Sequence, residues 1–126
     1  MPADLATSTT AQKPAPNTFD PVEIERLRSS LAEDADAIIA LFVRETASRL
    51  GRMARLGSAD QREALSREAH SLKSAAATFG CHALAELACA IEGDAMTLDA
   101  ASFPVRIDAL SDAFEAARAA LLTRPS

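Results

Sequence analysis

The sequence predicts an all-α protein: an antiparallel up-down four-helix bundle with a short N-terminal capping helix. Three observations lead to this prediction. Of the 126 residues, 48% are apolar, and alanine and leucine supply most of them, which suits closely packed helices. The alternation of β-branched residues that is typical of strands is nearly absent. Apolar residues instead recur at spacings of three and four, which is the helical period.

The chain divides into a tail and one domain. Residues 1–17 are rich in Ala, Thr and Pro and have no apolar period, which predicts a disordered N-terminal tail. Residues 18–124 contain all of the periodic segments, and a length of about 100 residues is typical of a single domain. We therefore expect one helical domain that begins shortly after residue 17.

The first helix is predicted over residues 21–31 because four local signals agree on its start. Asp20 is placed to be the N-cap, and the proline that follows it suits the first helical position. Glu23 completes a pair of the capping-box type, and Phe19 can pack on Ile24 as a hydrophobic staple. This short helix is expected to cap one end of the bundle.

The second helix is predicted from Asp34 to about Leu56. Its apolar stripe consists of Ile39, Phe42, Val43, Thr46, Leu50, Met53 and Ala54. Ile38 and Leu41 lie off this stripe. They either pack on the first helix or remain exposed as a docking surface, and the sequence does not decide between these alternatives.

The third helix is predicted over residues 61–79. Asp60 and Glu63 suggest an N-cap and its partner three residues later, and Gly80 suits the position after the helix end. The stripe consists of Leu65, Ala69, Leu72, Ala76 and Phe79. A turn over residues 57–60 separates this helix from the second.

The fourth helix is predicted from His82 to between Glu92 and Met96, and the fifth from about Ser102 to Leu122. Pro104 falls in the first turn of the fifth helix, where proline is tolerated. The stripes are Leu84, Leu87, Ala88 and Ile91 in the fourth helix, and Phe103, Ile107, Leu110, Phe114, Ala117 and Leu121 in the fifth. Short connections between long helices favour an up-down bundle.

Composition excludes several classes of function. The net charge of −5 disfavours nucleic-acid binding, which needs a basic surface. No stretch approaches the ~18 apolar residues of a membrane span, and no secretory signal begins the chain, so we expect a cytoplasmic protein.

Cys81 and Cys89 lie ~12 Å apart if they share a helix, which is beyond disulfide reach. They are interpreted as small buried or half-buried residues, and the ligands for a zinc site are missing.

His70 is the candidate functional residue. At ~100° per residue it points about 140° away from the middle of the apolar stripe of the third helix, so it is not a core histidine. Its helical neighbours are Ser66, Arg67, Lys73, Ser74 and Ala77. Small side chains and two cations therefore surround the imidazole. Another macromolecule can approach such a nitrogen, and a group bound there can be negatively charged.

The run from His70 to Gly80, HSLKSAAATFG, resembles the signature of histidine-containing phosphotransfer (HPt) domains. That signature reads His-x-Leu-Lys-Gly, followed by small residues, an apolar residue and Gly. Residues 84–92 look like the next helix of the family, and residues 19–21 and 41–42 are also similar. The resemblance covers about residues 19–122.

The resemblance implies a relay in two-component signalling. His70 would accept a phosphoryl group from the aspartate of a response-regulator receiver domain and pass it to another receiver. Lys73 would stabilise the phosphoryl group. Arg67 is a second candidate for this role, although a solvated surface position is the favoured interpretation of Arg67. Ser74 replaces the family glycine. The residues expected to contact the docked partner are Ser66, Ser74 and Ala77.

The residues predict a phosphoryl carrier and not an enzyme. A neutral imidazole is a good nucleophile near pH 7. No carboxylate or second histidine is obviously placed to act as a base for His70, and no Gly-rich phosphate loop or metal-binding cluster is present. No cofactor of its own is therefore expected, and Mg²⁺ should come with the partner receiver. The resemblance implies receivers and a hybrid histidine kinase as partners. The chain is expected to be a monomer, and His82 is interpreted as an ordinary surface histidine.

Two other functions are alternatives to the relay. The first is the dimerisation and phosphoacceptor domain of a histidine kinase, but the usual His-Glu-x-x-x-Pro context is missing and no nucleotide-binding domain follows. The second is a helical adaptor that has lost transfer activity. The presence of both His70 and Lys73 argues against this adaptor.

Overall fold

The computed structural model describes residues 21–122, and all regular secondary structure in this part of the chain is helical. The all-α class is therefore confirmed for these residues. Each helix boundary lies within two residues of its predicted position. Short 3₁₀ turns precede the second and the fifth helix. The helices are α1 (Pro21–Leu31), α2 (Ala35–Ser58), α3 (Arg62–Thr78), α4 (His82–Asp94) and α5 (Phe103–Leu122).

The four longer helices form a closed ring of contacts around one core. Helix α2 packs against α3 and α5, and α4 packs against the same two helices. Helix α1 packs on α2. The predicted stripes supply this core, whose most deeply buried side chains include Ile39, Met53, Leu65, Leu72, Leu84, Ile91, Leu110 and Leu121.

Helix α1 lies where α3 ends and α4 begins. Its Glu23 Oε1 is 2.8 Å from Nε2 of His82, the first residue of α4. Ile24 is buried in the core. Arg28 donates to the carbonyl oxygen of Leu121, in the last turn of α5. These contacts bring α1 to the start of α4 and to the last turn of α5.

A second set of contacts joins the α2–α3 turn to the α4–α5 connection. Arg62 Nη1 donates to the carbonyl oxygens of Ala95 and Leu98, at 2.9 and 2.7 Å. The Arg62 guanidinium also lies 5.1 Å from the ring centre of Phe103. The start of α3 is therefore tied both to the end of α4 and to the start of α5.

The predicted N-cap at Asp60 is wrong. Asp60 has a positive φ of 58°, and its amide donates to the carbonyl of Gly57 at 3.1 Å, while the next amide, Gln61, donates to Leu56 at 2.9 Å. These two bonds form a Schellman motif, in which a left-handed residue closes a helix. Asp60 therefore ends α2 and does not cap α3, because aspartate tolerates the left-handed conformation.

The glycine expected after the third helix is confirmed. Gly80 has a φ of 73°, its amide donates to Ala77 at 3.1 Å, and the amide of Cys81 donates to Ala76 at 2.8 Å. A Cβ atom added at this position would also lie only 3.2 Å from Cβ of Glu23. The chain therefore requires glycine here both for its backbone conformation and for the approach of α1.

Some side chains differ from their predicted burial. Ala54, predicted on the buried stripe of the second helix, is exposed, and Cys89, predicted to be buried or half-buried, is exposed as well. Leu41, left open by the sequence, is 46% exposed, whereas Ile38 is half-buried. None of the helices between residues 21 and 122 combines the length and apolar character that a bilayer crossing requires.

Candidate functional site

His70 lies at the middle of α3 with its side chain 59% exposed. The residues that flank its position on the inner side of the helix, Ala69 and Leu72, are fully buried. The imidazole thus stands on the outer surface of a helix whose opposite side is anchored in the core. The outward direction of the His70 side chain follows from this packing, because it fixes which side of α3 faces the core.

Glu92 of α4 connects two of the predicted site residues. Its Oε2 lies 2.9 Å from Nδ1 of His70, and its Oε1 lies 3.0 Å from Nζ of Lys73. The carboxylate is half-buried and holds one partner on each oxygen. The ring of His70 and the ammonium group of Lys73 are therefore both oriented by the same side chain.

Ser66 contacts the backbone of the same residue. Its Oγ donates a hydrogen bond to the carbonyl oxygen of Glu92, with a separation of 3.2 Å. Ser66, His70 and Lys73 stand at positions i, i+4 and i+7 of α3, so they share one edge of the helix. That edge faces α4, and all three residues meet Glu92.

The other predicted site residues lie apart from this cluster. Arg67, Ser74 and Ala77 are exposed. Arg67 forms no ion pair with the residues that the structure describes, and the carbonyl oxygen of Ser74 accepts a bond from Thr78 Oγ1 at 3.0 Å. All three are exposed residues of the same helix as His70, and none of them is a large apolar residue.

Glu92 and Lys73 each stabilise the charged form of the other. The hydrogen bond from Lys73, with a further contribution from His70, lowers the pKa of Glu92 below its ordinary value. The hydrogen bond to Glu92 in turn raises the pKa of Lys73. Glu92 is therefore ionised and Lys73 protonated at neutral pH.

An ionised Glu92 determines which ring nitrogen of His70 carries the hydrogen. A carboxylate can only accept hydrogen bonds, so the Nδ1 atom that faces it must be the donor. In the neutral imidazole, the other nitrogen, Nε2, then holds a lone pair. The exposed ring thus has its nucleophilic atom at Nε2, away from Glu92.

The sequence shows no carboxylate obviously placed to act as a base for His70, and the structure adds a carboxylate that contacts the Nδ1 side of the ring. Glu92 is 22 residues further along the chain and belongs to another helix, so local spacing does not reveal the pairing. The signal in the sequence is its place directly after Ile91, at the border of the apolar stripe of α4. Acidic residues at such a border are candidates for contacts with the neighbouring helix.

Other reactive side chains do not form a comparable site. Cys81 is buried, and desolvation raises the pKa of its thiol to about 11, so it stays protonated and unreactive. His82 is paired with Glu23 beside α1. Between residues 21 and 122, no three His, Cys, Asp or Glu side chains are grouped as ligands for a metal ion.

Comparison with known families identifies a match for most of this structure. The model of the Hpt domain family matches residues 37–120, which include nearly all of α2, the whole of α3 and α4, and most of α5. His70, Lys73 and Glu92 all lie within the matched range. Comparisons with curated proteins and with solved structures found no significant match.

Proposed function

Because this chain belongs to the Hpt domain family, and so has a phosphotransfer role in a His–Asp phosphorelay, we propose that His70 is its phosphoacceptor. The observation that carries the proposal is the hydrogen bond from His70 Nδ1 to Glu92, 2.9 Å long, on an exposed ring. It presents Nε2 as a nucleophile to an approaching partner. The chain would carry the phosphoryl group, as Hpt domains do, without catalysing its transfer.

The proposed fold is an antiparallel up-down bundle of α2 to α5, with α1 capping one end. Support comes from the contacts at the two ends of the helices. Helix α1 meets the end of α3, the start of α4 and the end of α5. Arg62, at the start of α3, meets the end of α4 and the start of α5. Neighbouring helices that run in opposite directions account for both sets of contacts.

The transfer step follows from the protonation of the ring. The lone pair of His70 Nε2 attacks the phosphorus of an aspartyl phosphate, a new N–P bond forms, and the O–P bond breaks to release the aspartate carboxylate. The ring then carries a positive charge, with hydrogen on Nδ1 and phosphorus on Nε2. Glu92 stabilises that charge without accepting the proton, as the carboxylate does in a Ser-His-Asp triad.

Cations near His70 would stabilise the phosphoryl group. Lys73 is one turn further along α3, and its Nζ binds the same Glu92 carboxylate as the His70 ring. Arg67, one turn back and exposed, is a second candidate. The attraction between a dianionic phosphoryl group and an ammonium group competes with the Lys73–Glu92 pair, so we expect Lys73 to shift toward the phosphoryl group after transfer.

The proposed partners are receiver domains. The phosphoryl group would come from the receiver of a hybrid histidine kinase and pass to a second receiver. Small exposed side chains at Ser74 and Ala77 leave room for that partner, and Ser66 was grouped with them on sequence grounds. Mg²⁺ and the acidic residues that bind it would belong to the receiver. The chain would act as a cytoplasmic monomer, with neither nucleic acid nor membrane as a partner.

Incubation with a receiver domain that carries labelled phosphate tests this proposal. Label should move to the chain and be acid-labile, as phosphohistidine is. His70→Gln should abolish labelling, and His82→Ala, which changes the other histidine, should retain it. Label that persists in His70→Gln, or that disappears only in His82→Ala, would refute the assignment of His70.

A further inference from the structure

We infer that Ser66 is a positioning residue of the phosphotransfer site, acting through Glu92, and not part of the surface that binds the receiver. The inference rests on the proposed function and deepens it. Sequence spacing placed Ser66 among the docking residues, because it lies one turn before His70. The structure instead turns its hydroxyl toward α4, where it bonds the Glu92 carbonyl oxygen.

The Glu92 carbonyl is a group that needs an external partner. Helix α4 ends at Asp94, and the last four carbonyl groups of an α-helix have no amide of their own helix to accept from. Glu92 is the third residue from that end. The hydroxyl of Ser66 supplies the missing donor at 3.2 Å. The bond therefore joins the last turn of α4 to the middle of α3.

This bond fixes the residue that orients His70. The backbone of Glu92 is held by Ser66, and its two carboxylate oxygens reach His70 Nδ1 and Lys73 Nζ at 2.9 and 3.0 Å. Three side chains of α3 thus hold one residue of α4 at three separate points. Without the Ser66 bond, the last turn of α4 can shift relative to α3, and the carboxylate shifts with it.

Loss of this bond should not unfold the end of α4. Asp94 Oδ2 is also bonded to Arg106 of α5 at 2.8 Å. Arg62 of α3 holds the carbonyl oxygen of Ala95 directly after the helix. A Ser66→Ala variant should therefore keep its fold while the position of Glu92 becomes less well defined. Because the fold is kept, an effect of Ser66→Ala on transfer can be distinguished from a loss of stability.

A positioning role and a docking role predict different kinetics. A docking residue changes the concentration of phosphorylated receiver at half-maximal rate. A positioning residue changes the maximal rate of transfer, because the geometry of the nucleophile is altered after the partner has bound. For Ser66→Ala we expect a maximal rate about 2- to 10-fold lower, the range that corresponds to one net hydrogen bond, and an unchanged half-saturating concentration.

The experiment compares four full-length chains: wild type, Ser66→Ala, Ser66→Thr and Ser71→Ala. Threonine keeps the hydroxyl and should restore the wild-type rate. Ser71 is an exposed serine of the same helix and is the matched control. Transfer is measured against the concentration of phosphorylated receiver, and the ¹⁵N signals of the His70 ring are recorded without any partner. Only Ser66→Ala should shift the ¹⁵N signals away from the values typical of a ring that carries its hydrogen on Nδ1.

The outcomes separate this inference from the proposed function. A raised half-saturating concentration with an unchanged maximal rate in Ser66→Ala would make Ser66 a docking residue and refute the inference. Unaltered ¹⁵N signals and an unaltered rate would refute it as well. If wild type accepts no label, the proposed function fails, and the ring signals still decide whether Ser66 positions His70.

Discussion

Glu92 Oε2 lies 2.9 Å from His70 Nδ1, across the contact between α3 and α4. The same carboxylate holds Lys73 through its other oxygen. This arrangement assigns each ring nitrogen of His70 a different role: Nδ1 binds the protein and Nε2 faces the surroundings. For the proposed phosphoacceptor, this means that the ring is oriented before any partner arrives, which would lower the entropy cost of reaching the transfer geometry.

Removing the Glu92 carboxylate should slow phosphotransfer without unfolding the chain. We expect Glu92→Ala to lower the maximal rate about 10- to 100-fold, because the ring loses both its orientation and the charge that stabilises the phosphorylated imidazole. Transfer from a phosphorylated receiver measures this rate. Glu86→Ala, an exposed glutamate of the same helix, is the control and should behave as wild type. Equal rates in the two variants would contradict the role of Glu92.

The Glu92–Lys73 pair should contribute to stability over a defined pH range. Lys73 lowers the pKa of Glu92 from its ordinary 4.5, so this contribution is present above 4.5 and is lost as the pH falls through the folded-state pKa. Glu92 raises the pKa of Lys73 from 10.5, so the contribution is complete below 10.5 and is lost as the pH rises through the folded-state value.

Lys73→Met tests this pair, because it removes the charge and keeps a long side chain. The NMR titration of the Glu92 carboxyl carbon should then have its midpoint at a higher pH than in wild type. The difference in unfolding free energy between the two proteins should also decrease in acid. A midpoint that stays in place would show that Lys73 does not cause the shift.

A large side chain at Ser74 should block the approach of the receiver. Ser74 is exposed and lies one turn beyond His70 on α3. Ser74→Arg should therefore abolish detectable transfer while the unfolding free energy changes by no more than about 0.5 kcal/mol, as is usual for surface substitutions. The matched control is Ser58→Arg, at the exposed end of α2. Normal transfer by Ser74→Arg would mean that the partner does not cover this position.

Leu72 should be among the most costly core positions. Its side chain is fully buried on the side of α3 that faces away from His70. Leu72→Ala should lower the unfolding free energy by about 2–5 kcal/mol through lost burial and a residual cavity. Chemical denaturation measures this loss. Leu41→Ala, at a leucine that is 46% exposed, should cost far less, and equal losses would contradict the assigned core.

Features that depend on neighbours along the chain were predictable from the sequence. The helical period placed the five helices, Gly80 marked the end of the third, and the angle of His70 from the apolar stripe placed it on the outer surface. Asp60 shows the limit of such local reasoning. Aspartate suits both the N-cap of one helix and the left-handed residue that ends another. Only the hydrogen bonds that the carbonyl oxygens of Gly57 and Leu56 accept show which role Asp60 has.

The pairing of His70 with Glu92 was decided by the tertiary structure alone. Periodicity shows which side of α3 or α4 is buried, but not how far one helix is shifted along the other. That shift results from the packing of Leu65, Leu72, Leu84 and Ile91 in the shared core. The sequence by itself thus determined the helices and the candidate nucleophile. The packing of α3 against α4 determined the carboxylate that bonds His70 and the serine hydroxyl that bonds the backbone carbonyl of the same glutamate.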